Sequence, residues 1–214
     1  CTNFWGCSGV SFMTNNLNTM TAQKSLKGTR TEKNLATAYI AESGAVTRYT
    51  YYAQTAQKEN YFYISNVFKE TADNELHHGK IFLKYLTEGT VEAPGPVGVD
   101  NGLLAPTEEN LGIAANEELH EGVELYQNAA DVAEEEGFSD IAARFRAIAT
   151  VENFHRDRFL KLQKQVKEGT VWKRDKPIKW QCLVCGDVFE GIEPPKVCPA
   201  CLHPYQHYMP MDGE

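Results

Sequence analysis

ETADNELHHGK (residues 70–80) and ATVENFHRDRF (149–159) each contain the word Glu-x-x-His, as Glu75 to His78 and Glu152 to His155. Both words fall in phase with apolar residues at helical spacing. The first lies in the stripe Ile64, Phe68, Ala72, Glu75, His78 or Gly79, Phe82, Leu86, and the second in Ile141, Phe145, Ile148, Glu152, His155, Phe159, Leu162. Two further stripes also hold carboxylates: Leu35, Tyr39, Glu42, Val46, Tyr49, Ala53, and Leu111, Ala115, Glu118, Gly122, Leu125, Ala129. Four helices are therefore expected, each turning at least one carboxylate toward a core. A carboxylate on a buried face is costly unless neutralised, and a dinuclear metal site neutralises several together.

The spacing suits that purpose. Residues three apart on a helix share a face within about one turn of rise, ~5 Å, so a Glu and a His can serve one metal pair. Oxygen donors mixed with imidazole suit iron or manganese and leave positions for a small oxidant. One Glu-x-x-His alone is ordinarily a solvated helix face. Two of them in apolar stripes, each with a partner Glu from another helix, point to metal. His77 and His120 neighbour candidate ligands in sequence and are expected to face away.

Local signals divide the chain. Thr29-x-x-Glu32 reads as a capping box that opens a first helix running to about Glu59. A turn near Asn60 leads to a second helix ending about Thr87. Residues 88–106 are rich in Gly and Pro and cannot be one helix. Thr107, followed by two glutamates, starts a third helix that ends near Gly137, and a fourth runs from Ser139 to about Glu168. Short, long, short is the loop pattern of a four-helix bundle with one long crossover.

An internal repeat supports this layout. NLATAYIAES (34–43) and NLGIAANEEL (110–119) align at an offset of 76, placing Glu42 on Glu118. The second and fourth helices align at an offset of 77, placing Glu75 on Glu152 and His78 on His155. The two halves read as one helix hairpin used twice about a pseudo-twofold axis through the metal site. Glu121 is the exception, because its counterpart is Ala45. One half therefore has a surplus carboxylate one turn beyond Glu118.

The remaining composition narrows the classes. With 214 residues, 42% hydrophobic, a net charge of −8 and no apolar run long enough for a bilayer, the chain reads as soluble and globular. The negative balance argues against a nucleic-acid partner. In the tail, Cys182-x-x-Cys185 and Cys198-x-x-Cys201 form two knuckles able to close a tetrahedral four-thiolate site. Ligand type alone leaves zinc and iron both open there. Iron in that set would carry single electrons, which fits a neighbouring redox-competent metal pair.

Four runs carry a resemblance: AESGAVTRYTYYAQTAQKENY, FKETADNELHHGKIFLKYL, EEGFSDIAARFRAIATVENFH and CLVCGDVFEGIEPPKVCPACLHPYQHY. From about residue 24 to 210 the chain resembles the rubrerythrins, in both metal centres and their order. The resemblance implies a mainly α protein, a ferritin-like four-helix bundle with one long crossover, followed by a small rubredoxin-like domain. Residues 1–28 are then a tail, 29–170 the di-iron bundle, and 171–214 a linker with the four-cysteine domain. It implies two non-haem irons in the bundle and one iron, or zinc, in the tail. It also implies reduction of hydrogen peroxide to water, with electrons from an NAD(P)H-dependent reductase or a rubredoxin.

Carried over by position, Glu75 and Glu152 bridge the irons. Glu118 and His155 complete one iron, and Glu42 with either Glu121 or His78 completes the other. In the family that last iron moves between carboxylate when oxidised and imidazole when reduced, so Glu121 and His78 count as catalytic. Tyr49 and Tyr126 match the family's tyrosines beside the cluster, where a phenol can hydrogen-bond a carboxylate or bound peroxide. Cys182, Cys185, Cys198 and Cys201 hold the tail's metal. The resemblance further implies a head-to-tail homodimer that brings one four-cysteine domain to the other chain's bundle. Helix length agrees: His155 to Glu168 is about 20 Å, which takes a chain's own tail away from its own irons.

Competing functions are a ferroxidase or oxidase using dioxygen and a non-enzymatic zinc-binding module. CTNFWGCSGVSF precedes Met13, and Met20 lies just before the resemblance begins. The segment lacks the charged start and apolar core of a secretory signal; a leading cysteine also fits a processed lipoprotein, but a start at Met13 or Met20 is expected and, with the reduced cysteines, a cytoplasmic location. Cys1 and Cys7 are assigned to no metal.

Overall fold

The computed structural model describes residues 24–93 and 105–211. Cys1, Cys7, Met13 and Met20 lie outside them. Helix α1 spans Arg30–Lys58, α2 Phe62–Tyr85, α3 Thr107–Glu117, α4 Leu125–Glu135 and α5 Ser139–Glu168. A π-helical turn, Glu118–Glu124, joins α3 to α4. Strands β1 (Ile178–Cys182), β2 (Val188–Gly191) and β3 (Tyr208–Pro210) form an antiparallel sheet in the order β2-β1-β3.

The helix ends follow from specific residues. Thr29 accepts the Glu32 N–H at 3.0 Å, and the Glu32 carboxylate reaches back to the Gly28 N–H at 2.7 Å. Asn60 (φ 66°) and Gly137 (φ 78°) adopt the left-handed conformation just past α1 and α4. In both turns the next residue, Tyr61 or Phe138, donates its N–H to a carbonyl five positions back, at 2.8 Å. These tight turns fold α1 onto α2 and α4 onto α5 as antiparallel hairpins. Asn60 and Gly137 are 77 positions apart, so the internal repeat includes its turns.

The third helix departs from expectation in an informative way. It was expected to be one α-helix with Leu125 facing inward; instead Tyr126 is buried and Leu125 only half-buried. The π turn between Glu118 and Glu124 absorbs one extra residue and rotates everything after it by one position. The repeat already shows this slip, since Glu42 pairs with Glu118 at 76 and Tyr49 with Tyr126 at 77. Tyr39, expected in the inward stripe of α1, is exposed; Ala38, Ala41 and Ala45 face inward instead, because small side chains let α2 approach closely.

The apolar core is split. One cluster gathers Tyr49, Tyr52, Ile64, Phe68, Leu111 and Phe159, and another Leu35, Phe82, Tyr126, Ile141, Phe145 and Ile148. The acidic residues lie between them, closed at both ends by hydrocarbon. The tail packs on the bundle at the start of α2, where Tyr61 stacks on Trp172 and Phe62 on His207, with ring centroids 5.6 and 3.9 Å apart. Phe62 is thirteen residues before Glu75, or ~20 Å along the helix. No helix among the described residues is long and apolar enough to cross a membrane.

Candidate metal centres

Four helical segments bring together Glu42 from α1, Glu75 and His78 from α2, Glu118 from the π turn, and Glu152 and His155 from α5. All six are at most 9% exposed. They form two overlapping groups, Glu42, Glu75, His78, Glu152 and Glu75, Glu118, Glu152, His155, each with ligand atoms within 4.8 Å of one another. Glu75 and Glu152 belong to both. His78 Nδ1 lies 2.8 Å from one oxygen of each, and His155 Nδ1 lies 3.1 and 2.9 Å from the other oxygens. Each of these carboxylates therefore spans the two groups, as a bridging ligand must. His77 and His120 are exposed and pair only with surface carboxylates, Asp73 and Glu124. The backbone of Glu121 lies in the π turn; its side chain is outside the described residues.

The electrostatics are those of a site built for cations. Burial, reinforced by Glu152 and Glu75, pushes Glu42 well above the usual carboxylate range, and burial with Glu75 and Glu152 does the same to Glu118. Burial disfavours charge on the histidines as well. Hydrogen bonds to Glu152 and Glu75 outweigh it, raising His78 to about 10 and His155 to about 9. Glu152 is lowered because bonds from His155 and His78 overcome its burial. Metal ions binding among these atoms displace the imidazole protons, so affinity rises with pH.

A second layer repeats the pseudo-twofold. The Tyr49 hydroxyl donates to Glu118 at 2.6 Å and the Tyr126 hydroxyl to Glu42 at 2.5 Å, each reaching across to the other hairpin. Burial, with the adjacent Glu118 or Glu42, holds both phenols well above their usual range, so they remain donors. Beside these groups lies a cavity of about 20 Å³, bounded also by Ala41, Ala45, Arg48, Glu117 and Gly122. Arg48 and Glu117 form an ion pair across it at 2.5 Å, largely buried on both sides.

Gly122 and the Arg48–Glu117 pair were not anticipated. A Cβ on Gly122 would sit 2.5 Å from Glu152 Cγ, so only glycine lets the Glu152 carboxylate seat against the π turn. Gly122→Ala is expected to displace Glu152, costing about 1–3 kcal/mol and lowering bundle iron occupancy several-fold. Metal analysis alongside thermal unfolding checks both.

In the tail, Cys182 and Cys201 sulfurs are 3.7 Å apart, as are those of Cys185 and Cys198. A disulfide requires ~2.05 Å, whereas a tetrahedron with metal–sulfur bonds of ~2.3 Å places sulfurs ~3.8 Å apart. Burial opposes a Cys198 thiolate, but the Tyr208 hydroxyl and the Cys201 and Ala200 N–H groups overcome it and bring the thiol down to about 6. The knuckles are thus arranged for a metal-bound thiolate.

A family model described as Rubrerythrin matches residues 33–163 and 109–179, and one described as Rubrerythrin, rubredoxin-like domain, matches 180–209. A rubrerythrin of Clostridium perfringens (strain 13 / Type A) is 46% identical over 187 residues, covering 86% of this chain and 96% of the relative. The chain belongs to the rubrerythrin family. A rubrerythrin of Nitratidesulfovibrio vulgaris (strain Hildenborough) is 45% identical over 187 residues, with 86% and 96% covered. Among solved structures, a fully reduced, all-ferrous nigerythrin aligns over 97% of this chain and 100% of its own, at 26% identity and a TM-score of 0.58. The bundle of this rubrerythrin family member thus carries a di-iron carboxylate site, and its tail a four-cysteine iron or zinc site.

Proposed function

We propose that the protein is a non-haem di-iron peroxidase that reduces hydrogen peroxide to water in defence against oxidative stress. Glu75 and Glu152 would be shared between two irons, Glu118 and His155 would complete one ligand set, and Glu42 with His78 or Glu121 the other; bound there, the metal pair would supply the two electrons that reduce one peroxide. The observation that carries this reading is the small cavity beside the bridging carboxylates, lined by the Tyr49 and Tyr126 donors. A cavity needs about 10–15 Å³ to admit one water. At about 20 Å³ it admits a molecule of about the size of water or peroxide.

The surrounding residues have definite tasks. The Tyr49 and Tyr126 hydroxyls each give their one hydrogen to Glu118 and Glu42 and so hold those carboxylates in place at the cavity. The two apolar clusters keep bulk water from the carboxylates, so electrostatic interactions act at low dielectric. His78 lies against both Glu75 and Glu152, and Glu121 on the π turn provides the alternative carboxylate for the same metal. Ala45, the counterpart of Glu121, leaves space where a second surplus carboxylate would otherwise intrude.

An iron held by Cys182, Cys185, Cys198 and Cys201 would return electrons singly, drawn from an NAD(P)H-dependent reductase or a rubredoxin. Because the tail docks at the start of α2, about 20 Å of helix from Glu75, the centre that serves each bundle comes from a second chain in a head-to-tail homodimer. Cysteines free of disulfides suit a reducing cytoplasm. Anaerobic titration of the fully reduced protein with hydrogen peroxide tests the reading. Reoxidation of both centres is expected, with two electrons consumed per peroxide and no dioxygen released. Release of dioxygen from peroxide, or reoxidation of the tail alone, would refute it.

A further inference from the structure

We propose that Asp187 sets the reduction potential of the four-cysteine centre, holding it lower than the thiolates alone would. Asp187 follows the first knuckle and is half-buried against the metal site. Its Oδ2 lies 3.8 Å from the Cys198 sulfur and accepts the Tyr208 hydroxyl at 3.0 Å. Tyr208 is fully buried between Trp180 and the cysteines, so it fixes the carboxylate in position.

Two effects act in one direction. With a metal bound, Cys198 is a thiolate, and the Asp187 carboxylate faces it across van der Waals distance. One-electron reduction of ferric to ferrous iron adds a unit of negative charge to the four-thiolate centre, and the nearby carboxylate opposes that addition. In addition, the Tyr208 hydroxyl donates to Asp187 at 3.0 Å. A hydrogen bond to sulfur stabilises the more negative, reduced state, so a phenol turned toward Asp187 gives the sulfurs less of that support. A lower potential makes the tail a stronger donor to the di-iron pair and requires a stronger reductant upstream.

The test is a spectroelectrochemical titration of the full-length, iron-loaded protein, following the thiolate-to-iron absorption. Asp187→Asn and Asp187→Ala are both expected to favour the ferrous state at least tenfold, ~59 mV upward for a one-electron couple. The absorption itself shows that the site is assembled in each variant. An unchanged or lowered potential in both would overturn the proposal. A rise in Asp187→Asn alone would also overturn it, because a new amide hydrogen bond to sulfur would then be responsible. The readout is independent of the oxidant used by the bundle, so it stands or falls apart from the peroxidase reading.

Discussion

Glu152→Ala is expected to empty the bundle of iron while leaving the tail loaded. Glu152 places one oxygen 2.8 Å from His78 Nδ1 and the other 2.9 Å from His155 Nδ1, so its loss takes a ligand from both groups at once. Residues that merely orient a metal ligand typically cost 10–100-fold when removed; losing a shared ligand should cost on the order of 1000-fold in peroxide reduction. Glu152→Gln keeps the volume and is expected to fail almost as badly, separating charge from packing. Stability should fall in metal-free protein too. Glu152 is lowered by its bonds from His155 and His78, which it raises in turn, so at neutral pH the charged carboxylate contributes stability that glutamine does not, and metal-free Glu152→Gln should melt below the metal-free parent. The parent should gain far more on adding iron, since stabilisation follows metal affinity. Metal analysis, peroxide kinetics and paired melts with and without iron check all three results.

Cys185→Ser should separate the two centres' contributions. The tail's apolar core is little more than Trp180, Tyr208 and two of the cysteines, so its three short strands depend on metal to stay folded. The bundle does not depend on it, because its two large apolar clusters are built mainly from α1–α5, and the tail adds Val171 and the stacking of Trp172 and His207 on Tyr61 and Phe62 at one end. The variant should therefore keep two irons in the bundle and react once with peroxide at close to the normal rate. Turnover fed by a reductase should fall about 100-fold, the scale at which loss of a positioned redox partner outweighs diffusion of small reductants. Mixing variant subunits with Glu152→Gln subunits should restore part of that turnover if each bundle draws on the partner's tail. No restoration in verified mixed dimers would argue for transfer within one chain.

Much of this architecture can be read from residues alone. Glu75, His78, Glu152 and His155 are legible because burying them in phase with Phe68, Phe82, Phe145 and Phe159 makes no sense without metal. The hairpin turns are legible in Asn60 and Gly137, which tolerate a left-handed backbone. The π turn was missed because helical periodicity assumes a uniform 3.6 residues per turn. Its signature was nevertheless present as the one-residue change in repeat offset between Glu118 and Tyr126. Gly122 was read as one more small residue in a stripe, and nothing local marks it as the seat of Glu152. Arg48 with Glu117, and Asp187 with Tyr208, are pairs far apart in sequence, so only folding brings them together.

The most direct test of the central claim is anaerobic stopped-flow mixing of the fully reduced, iron-loaded protein with hydrogen peroxide and, separately, with dioxygen, following the visible absorption of the four-cysteine iron. Rapid return of colour with peroxide and slow return with dioxygen is the predicted result. Fast return with dioxygen and little with peroxide would contradict it and make the bundle an oxidase.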